Sequence, residues 1–274
     1  MPTKPRVGFI GTGRMGLPMS GHILSAGFDL TAHDPFPAAM QAIRELGGTP
    51  VDSPAAVAAE SDITFVMPGF FNEVEAAICG PSGVLESAAE NSVVVVASTI
   101  TPDQAKELAK RCESKNVHFL DAPVCQGERG AEEAYLVWLV GGPAEVVERA
   151  RPVMTPCGSE IFHLGEIGAG MVGKAMNNML LWAALAADHE ALAIAEKHGV
   201  STDKLIPALL RSSGTNWPLE HWHDMHRIPW AHKDMQIVLE MGDQAKLTLP
   251  IAALLREQVK PLMKSAGVSE DLIR

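Results

Sequence analysis

Short apolar runs recur through the first part of the chain, at residues 7–10, 30–33, 63–67, 93–97, 117–120 and 136–140. Between several of them lie segments whose apolar positions repeat every three to four residues, as at 16–26, 38–46 and 102–115. The short runs have strand length and the longer segments have helical period. Strands alternating with helices predict a parallel sheet covered on both faces. A last short run at 161–163 closes this region. After Gly165 the texture changes. Residues 172–198 read as one long helix, apolar on nearly every side, with Gly199 placed as its C-terminal cap. Helical patterns follow at 202–211, 233–245 and 250–266. The expected organisation is therefore an α/β domain over residues 1–165 and an all-α domain over 166–274 built on a long buried helix. A helix apolar all round must be buried, and a domain that small shares the task with a second subunit. A homodimer or homotetramer is expected.

Composition narrows the class. With 47% hydrophobic and 20% charged residues the chain is globular rather than disordered. Its formal net charge of −11 argues against nucleic acid and against anionic membrane surfaces as partners. The longest apolar stretch, 176–187, is broken by Asn177 and Asn178, short of the roughly 20 residues a membrane span needs. The start of the chain runs directly into the first strand, leaving no room for a signal peptide. Cys79, Cys112, Cys125 and Cys157 are scattered without a C-x-x-C pair, which fits a reducing compartment. A cytoplasmic protein is expected.

Residues 6–16, Arg-Val-Gly-Phe-Ile-Gly-Thr-Gly-Arg-Met-Gly, form a strand running into G-x-G-x-x-G and then a helix. In a dinucleotide-binding turn Gly11 permits the tight bend, Gly13 lets the backbone approach a pyrophosphate, and Gly16 lets helix and strand pack closely. Asp34 ends the second strand at the distance expected for the acid that binds the adenosine ribose. A carboxylate there accepts bonds from a free 2′-hydroxyl and repels a 2′-phosphate, so NAD is favoured over NADP. The N-terminal domain is thus expected to be Rossmann-type.

Gly168-Ala-Gly-Met-Val-Gly-Lys174-Ala-Met-Asn-Asn178 opens the long helix. Lys174 and Asn178 are four residues apart and share one helical face. The ordinary reading is a solvated helix start with an outward lysine. The chemical reading is a lysine that exchanges a proton with a substrate oxygen while Asn178 orients the same substrate. An ordinary lysine side chain, with a pKa of about 10.4, becomes a useful base only where burial or a nearby positive charge lowers it.

With these motifs in order, the chain resembles the β-hydroxyacid dehydrogenase family over nearly its whole length. Residues 11–19 match the family's cofactor motif, and 66–72, Val-Met-Pro-Gly-Phe-Phe-Asn, its loop after the fourth strand. Ser98-Thr99 match its segment near the nicotinamide, and Asp121-Ala-Pro-Val124 open its substrate loop. Residues 168–178 match its catalytic signature, and Lys233-Asp234 its C-terminal cofactor lysine. The resemblance implies NAD held by Gly11, Gly13, Arg14, Met15, Gly16, Asp34, Met67, Pro68, Asn72, Thr99 and Lys233, the last reaching over from the second domain. It also implies that Lys174 is catalytic and that Asn178, Cys125, Gln126 and Gly127 contact a small anionic hydroxy acid.

The pattern breaks at the substrate loop. Where the family continues Ser-Gly-Gly, this chain has Cys125-Gln126-Gly127, with a weaker donor and a bulky amide. Either the loop has drifted while keeping its backbone donors, or it takes a different substrate from 3-hydroxyisobutyrate, with Arg129 as a nearby guanidinium. Trp217, His221, Trp222, His223, His226, Trp230 and His232 crowd the segment before Lys233 and are expected to line a lid. His221-x-His223 lacks a further ligand at clear spacing, so no metal is expected. Two alternatives differ in class: an NADPH-dependent imine reductase, which Lys174 and Asp34 oppose, and a non-catalytic dinucleotide-binding reader, which would not need Lys174.

Overall fold

The computed structural model describes residues 4–224 and 228–273. They divide into two compact units, Met1–Lys174 and Ala175–Arg274. In the first unit lie strands β1 (Val7–Ile10), β2 (Leu30–His33), β3 (Thr49–Pro50), β4 (Ile63–Val66) and β5 (Val93–Val96). They are followed by β6 (His118–Asp121), β7 (Val124–Cys125), β8 (Val137–Gly141) and β9 (Glu160–Gly165). The helices are α1 (Gly16–Ser25), α2 (Pro37–Glu45), α3 (Pro54–Ala59), α4 (Phe71–Cys79), α5 (Pro102–Glu113), α6 (Gly127–Glu132) and α7 (Ala144–Met154). The strand order is β3-β2-β1-β4-β5-β6-β8-β7, with β9 on β8.

The continuous apolar runs are the central strands. All four residues of β1, β4 and β5 are buried, as expected where helices cover both faces of a sheet. Alternate side chains enter opposite cores: Val93 and Val95 join Phe9, Phe65 and Trp138 on one side, while Val94 and Val96 join Ile10 and Val66 on the other. Phe65 stacks on Phe9 at 5.7 Å between ring centres. Helix α5 starts with a reciprocal cap, in which the Gln104 amide N–H donates to the Thr101 hydroxyl and the Thr101 N–H donates to the Gln104 side chain. Such a cap is worth about 1 kcal/mol.

The expected parallel sheet is present from β3 through β6, and beyond it the sheet gains an antiparallel part. β8 runs antiparallel to β6 and to β7. Ala122 and Pro123 alone separate β6 from β7, too few for a crossover, and proline has no N–H to continue a ladder. β6 and β7 are therefore one extended stretch broken at Pro123, and β8 returns against both. The order β2-β1-β4 reverses direction between β1 and β4, and the ends of those strands form the crevice where doubly wound sheets bind ligands.

The long helix α8 (Ala169–Lys197) opens at the end of the first unit and continues into the second. The second unit adds α9 (Thr202–Leu209), α10 (Trp217–Glu220), α11 (Ala231–Gln244) and α12 (Pro250–Ser265). Its main core gathers Trp182 and Leu185 of α8, Met235 and Val238 of α11, and Leu255 and Val259 of α12. The indole N–H of Trp182 donates to the buried Asp234 carboxylate at 3.1 Å. One chain does not bury α8 all round, because Leu180 is 71% and Ile194 61% exposed. None of the described helices is long and apolar enough to cross a membrane.

Candidate active site

The turn between β1 and α1 uses its three glycines for three separate reasons. Gly11 has φ +90°, and a Cβ there would come within 2.8 Å of the Met67 carbonyl and 2.9 Å of the Pro68 nitrogen. The turn and the loop after β4 therefore touch through bare backbone. A Cβ on Gly16 would strike the Gly11 carbonyl oxygen and the Phe9 ring, so the helix lies directly on the strand. At Gly13 a Cβ would meet nothing within 4 Å. That position opens onto free space at the head of α1, whose first N–H groups lack intrahelical acceptors. Met15 occupies the cap position of α1 without a side-chain hydrogen bond.

Asp34 sits beside this turn and is largely buried. Thr12 N–H donates to one of its oxygens at 2.8 Å and Phe36 N–H to the other at 3.0 Å. Each oxygen keeps a second lone pair. The Thr12 hydroxyl is buried without a hydrogen-bond partner. Arg14, on the outer side, is ion-paired with Glu128 at 3.3 Å, with both side chains exposed. An open Gly13, an unanswered buried hydroxyl and an oriented carboxylate make a donor and acceptor set that fits a dinucleotide.

The loop after β4 carries Met67 and Pro68, half-buried, and leads to the exposed Asn72 in the first turn of α4. The Ser98 hydroxyl donates to the Pro68 carbonyl at 2.7 Å, tying the segment that holds Thr99 to this loop. Phe70 N–H donates to the Glu73 carboxylate at 2.9 Å, which fixes the start of α4.

Further along the sheet, β7 and α8 meet. Lys174 Nζ lies 4.0 Å from Cys125 Sγ, joining two segments 49 residues apart. Burial pushes the Cys125 thiol up, while the Lys174 charge pulls it the other way. A buried thiol held in its protonated form is no nucleophile at neutral pH. Gln126 and Gly127 both take left-handed backbone, with φ of +86° and +64°. For glutamine this costs about 1 kcal/mol, so the loop holds its shape against local preference. Arg129 is exposed, and its Nε donates to Glu133, just past the end of α6, at 2.9 Å.

Asp121, which only opens the substrate-loop motif in the sequence, is a site neighbour that pattern alone does not single out. It is fully buried, and its carboxylate accepts from the N–H groups of Gly168 and Met171 at 2.7 and 2.9 Å. The available signal was a lone acid closing the apolar strand of residues 118–121.

Two further site candidates belong to the second unit. Asn178 is buried on α8 and accepts from the Asn177 side chain at 3.0 Å. Lys233 Nζ lies 5.0 Å above the Trp230 ring. In the histidine- and tryptophan-rich segment, Trp217 stacks on His221 at 4.1 Å and Trp222 packs on His189 at 4.7 Å. His232 is buried in α11, which holds its imidazole below the usual range. His226 lies outside the described residues. Among the described residues no cluster of His, Cys, Asp or Glu could hold a metal ion.

Residues 6–168 match the NAD binding domain of 6-phosphogluconate dehydrogenase, and residues 168–273 match the NAD-binding domain of NADP-dependent 3-hydroxyisobutyrate dehydrogenase. The chain is 34% identical to 3-hydroxyisobutyrate dehydrogenase of Pseudomonas aeruginosa, covering 91% of this chain and 89% of that protein. It is also 34% identical to NAD-dependent L-serine dehydrogenase of the same organism, covering 97% and 95%. The solved structure of Mycobacterium tuberculosis 3-hydroxyisobutyrate dehydrogenase with L-serine superposes with a TM-score of 0.85 at 27% identity, covering 97% of both chains.

Proposed function

Because the chain belongs to the β-hydroxyacid dehydrogenase family, we propose that it catalyses hydride transfer between NAD and a small β-hydroxy acid or related alcohol, with Lys174 as general acid and base. The observation that carries this reading is the 4.0 Å approach of the Lys174 amine to Cys125, where the substrate loop meets the head of α8. In this reading Gly11, Gly13, Arg14, Met15 and Gly16 cradle the phosphates, Asp34 takes the ribose, and Met67, Pro68, Asn72 and Thr99 line the rest of the dinucleotide. Lys233 is also assigned to the dinucleotide. Residues 1–165 serve the cofactor, and residues 166–274 serve substrate and subunit contacts. When bound, NAD supplies the hydride acceptor.

This chain's own residues do the remaining work. In oxidation the neutral Lys174 amine takes the hydroxyl proton, and in reduction the ammonium returns it to the carbonyl oxygen. Asn178 orients the substrate from the same helix, four residues on. Cys125, Gln126 and Gly127 receive its anionic head group. The carboxylate of Asp34, already oriented by two backbone amides, favours NAD because a 2′-phosphate would face a negative charge. The exposed Leu180 and Ile194 of α8 support a homodimer or homotetramer, and the four free cysteines suit the cytoplasm.

The test is a panel of hydroxy acids, hydroxy sulfonates, phosphonates, serine and aromatic β-hydroxy amino acids, run with NAD and with NADP and scored by absorbance of the reduced cofactor. Turnover of one or more, faster with NAD, is expected. Tight NAD binding with no turnover of any would replace the enzyme by a non-catalytic reader. Light scattering on the purified protein gives the subunit number.

A further inference from the structure

The proposed chemistry needs Lys174 held still, and the helix turn just before it begins with N–H groups that the helix itself cannot satisfy. The structure answers two of them from a distant strand. Gly168, just before α8, and Met171, in its first turn, donate to opposite oxygens of Asp121 at 2.7 and 2.9 Å. Asp121 has no solvent exposure, and its neighbours make room for it. A Cβ on Gly141 would lie 2.5 Å from one carboxylate oxygen. A Cβ on Gly170 would lie 2.9 Å from the other and 2.5 Å from the Asp121 carbonyl. Asp121 and Gly141 are also the pairing that joins β6 to β8. Four residues after Asp121 comes Cys125, three residues after Met171 comes Lys174, and those two side chains meet at 4.0 Å.

We propose that Asp121 is a positioning residue: its carboxylate clamps the head of α8 to the strand that leads into the substrate loop, and so fixes the Lys174 amine relative to Cys125. An anion is favoured at a helix N-terminus, and charge-assisted bonds to backbone N–H groups are short and directional. With both oxygens engaged and no exposure, Asp121 acts through Lys174 and not on the substrate. The proposal rests on the reading of Lys174 as the acid–base group.

Two variants test it. Asp121→Asn keeps the shape but places an amide NH2 against a backbone N–H. Gly170→Ala keeps the acid but presses a methyl against the Leu139 and Asp121 carbonyls and one Asp121 carboxylate oxygen, and so displaces the same junction from the helix side. Both are assayed as folded protein well below their melting temperatures for kcat, KM, the pH profile of kcat, and the Kd for NAD. In both, kcat should fall about tenfold to a hundredfold, since displacement of a catalytic group by about 1 Å has that effect. The alkaline or acid limb of the kcat profile should move, and the Kd for NAD should stay within about twofold, because the glycine turn is untouched. Wild-type kcat in a folded variant, or a loss confined to NAD affinity, overturns the proposal. If Asp121→Asn does not fold, Gly170→Ala decides. Lys174→Ala run in parallel separates the two claims. Retained kcat there defeats the acid–base reading itself, whereas loss there with normal kcat in both other variants defeats the positioning role alone.

Discussion

Two helix heads in the first unit are finished in opposite ways. Helix α1 starts behind Gly13 with no side-chain cap and no acid in its first turn. Helix α8 starts against a buried carboxylate that takes two of its N–H groups. Both heads carry the same partial positive charge from their aligned peptide dipoles. One is answered by the chain's own anion, deep in the protein. The other faces open space at Gly13, with Asp34 held to one side by Thr12 and Phe36. The contrast fits the two jobs proposed above: the head with no acid in its first turn would receive a phosphate, and the head tied to Asp121 would carry the reactive amine.

The largest effect should come from removing what the locked head carries. Lys174→Ala should lower kcat by about 10²–10⁴-fold while NAD binds as before, because the amine acts on the substrate. A change confined to cofactor affinity would move the lysine to a binding role and erase the distinction between the heads. The converse experiment fills the open one. Gly13→Asp has room for its side chain, so the fold should hold to within about 1 kcal/mol. The new carboxylate should still weaken NAD binding about a hundredfold, read by calorimetric titration beside thermal unfolding. Unaltered NAD affinity would mean that phosphates do not bind at this head.

A smaller effect belongs to the loop beside Lys174. Restoring the family residues with Cys125→Ser and Gln126→Gly should raise kcat/KM for 3-hydroxyisobutyrate about tenfold and weaken the substrate the wild type prefers, a size expected for one hydrogen bond to a charged group. An unchanged substrate profile would place specificity elsewhere in the cleft. The smallest effect is a slope. Burial pushes the Asp121 carboxyl up to about 6, against backbone N–H groups that pull it down. Because the folded value lies above the ordinary 3.8, the folded state binds this proton more tightly than the unfolded chain. Its contribution to stability is complete below about pH 4, is lost as pH rises to about 6, and is level above. Asp121→Asn has no such proton, so the stability of the wild type relative to the variant should decline across that window. A flat difference in denaturant unfolding from pH 4 to 7 would contradict the burial cost. A carboxylate that weighs against the fold when ionised is kept for what it holds.

Much of the first unit was legible as pattern. β1 and β2 begin and end where their apolar runs do, and the separate needs of Gly11, Gly13 and Gly16 match the structure, where a Cβ would strike backbone at Gly11 and Gly16 and meet open space at Gly13. Helix α8 begins three residues before the apolar pattern suggested, at Ala169, because its first turn is stabilised by Asp121 from 48 residues away. Local periodicity carries no trace of such a contact. The two-residue strands β3 and β7 and the reversal at β8 were equally silent, since they depend on a partner strand and on one proline. The i, i+4 spacing singled out Lys174 with Asn178 and the family resemblance named a role for it, but its approach to Cys125, 49 residues away, is visible only in the structure. The aromatic and imidazole side chains before Lys233 looked like a lid lining. Among those described, Trp217 stacks on His221, His232 is buried in α11 and Trp230 stays partly exposed.

The strand order also sets a timetable. β1 pairs with β2 through Val7↔Leu30, a local partner, and with β4 through Val7↔Ile63, a distant one. At about 5–20 residues per second of synthesis, seconds pass in which β1 has one neighbour and an open edge. When β5 emerges it brings four consecutive valines, the composition that pairs with any free strand. Those valines are safe once β4 and β6 flank them in register. The same central strands that make the finished sheet dry on both faces are therefore the ones the growing chain leaves open longest, and refolding from denaturant is expected to be slow, with aggregation that rises with concentration.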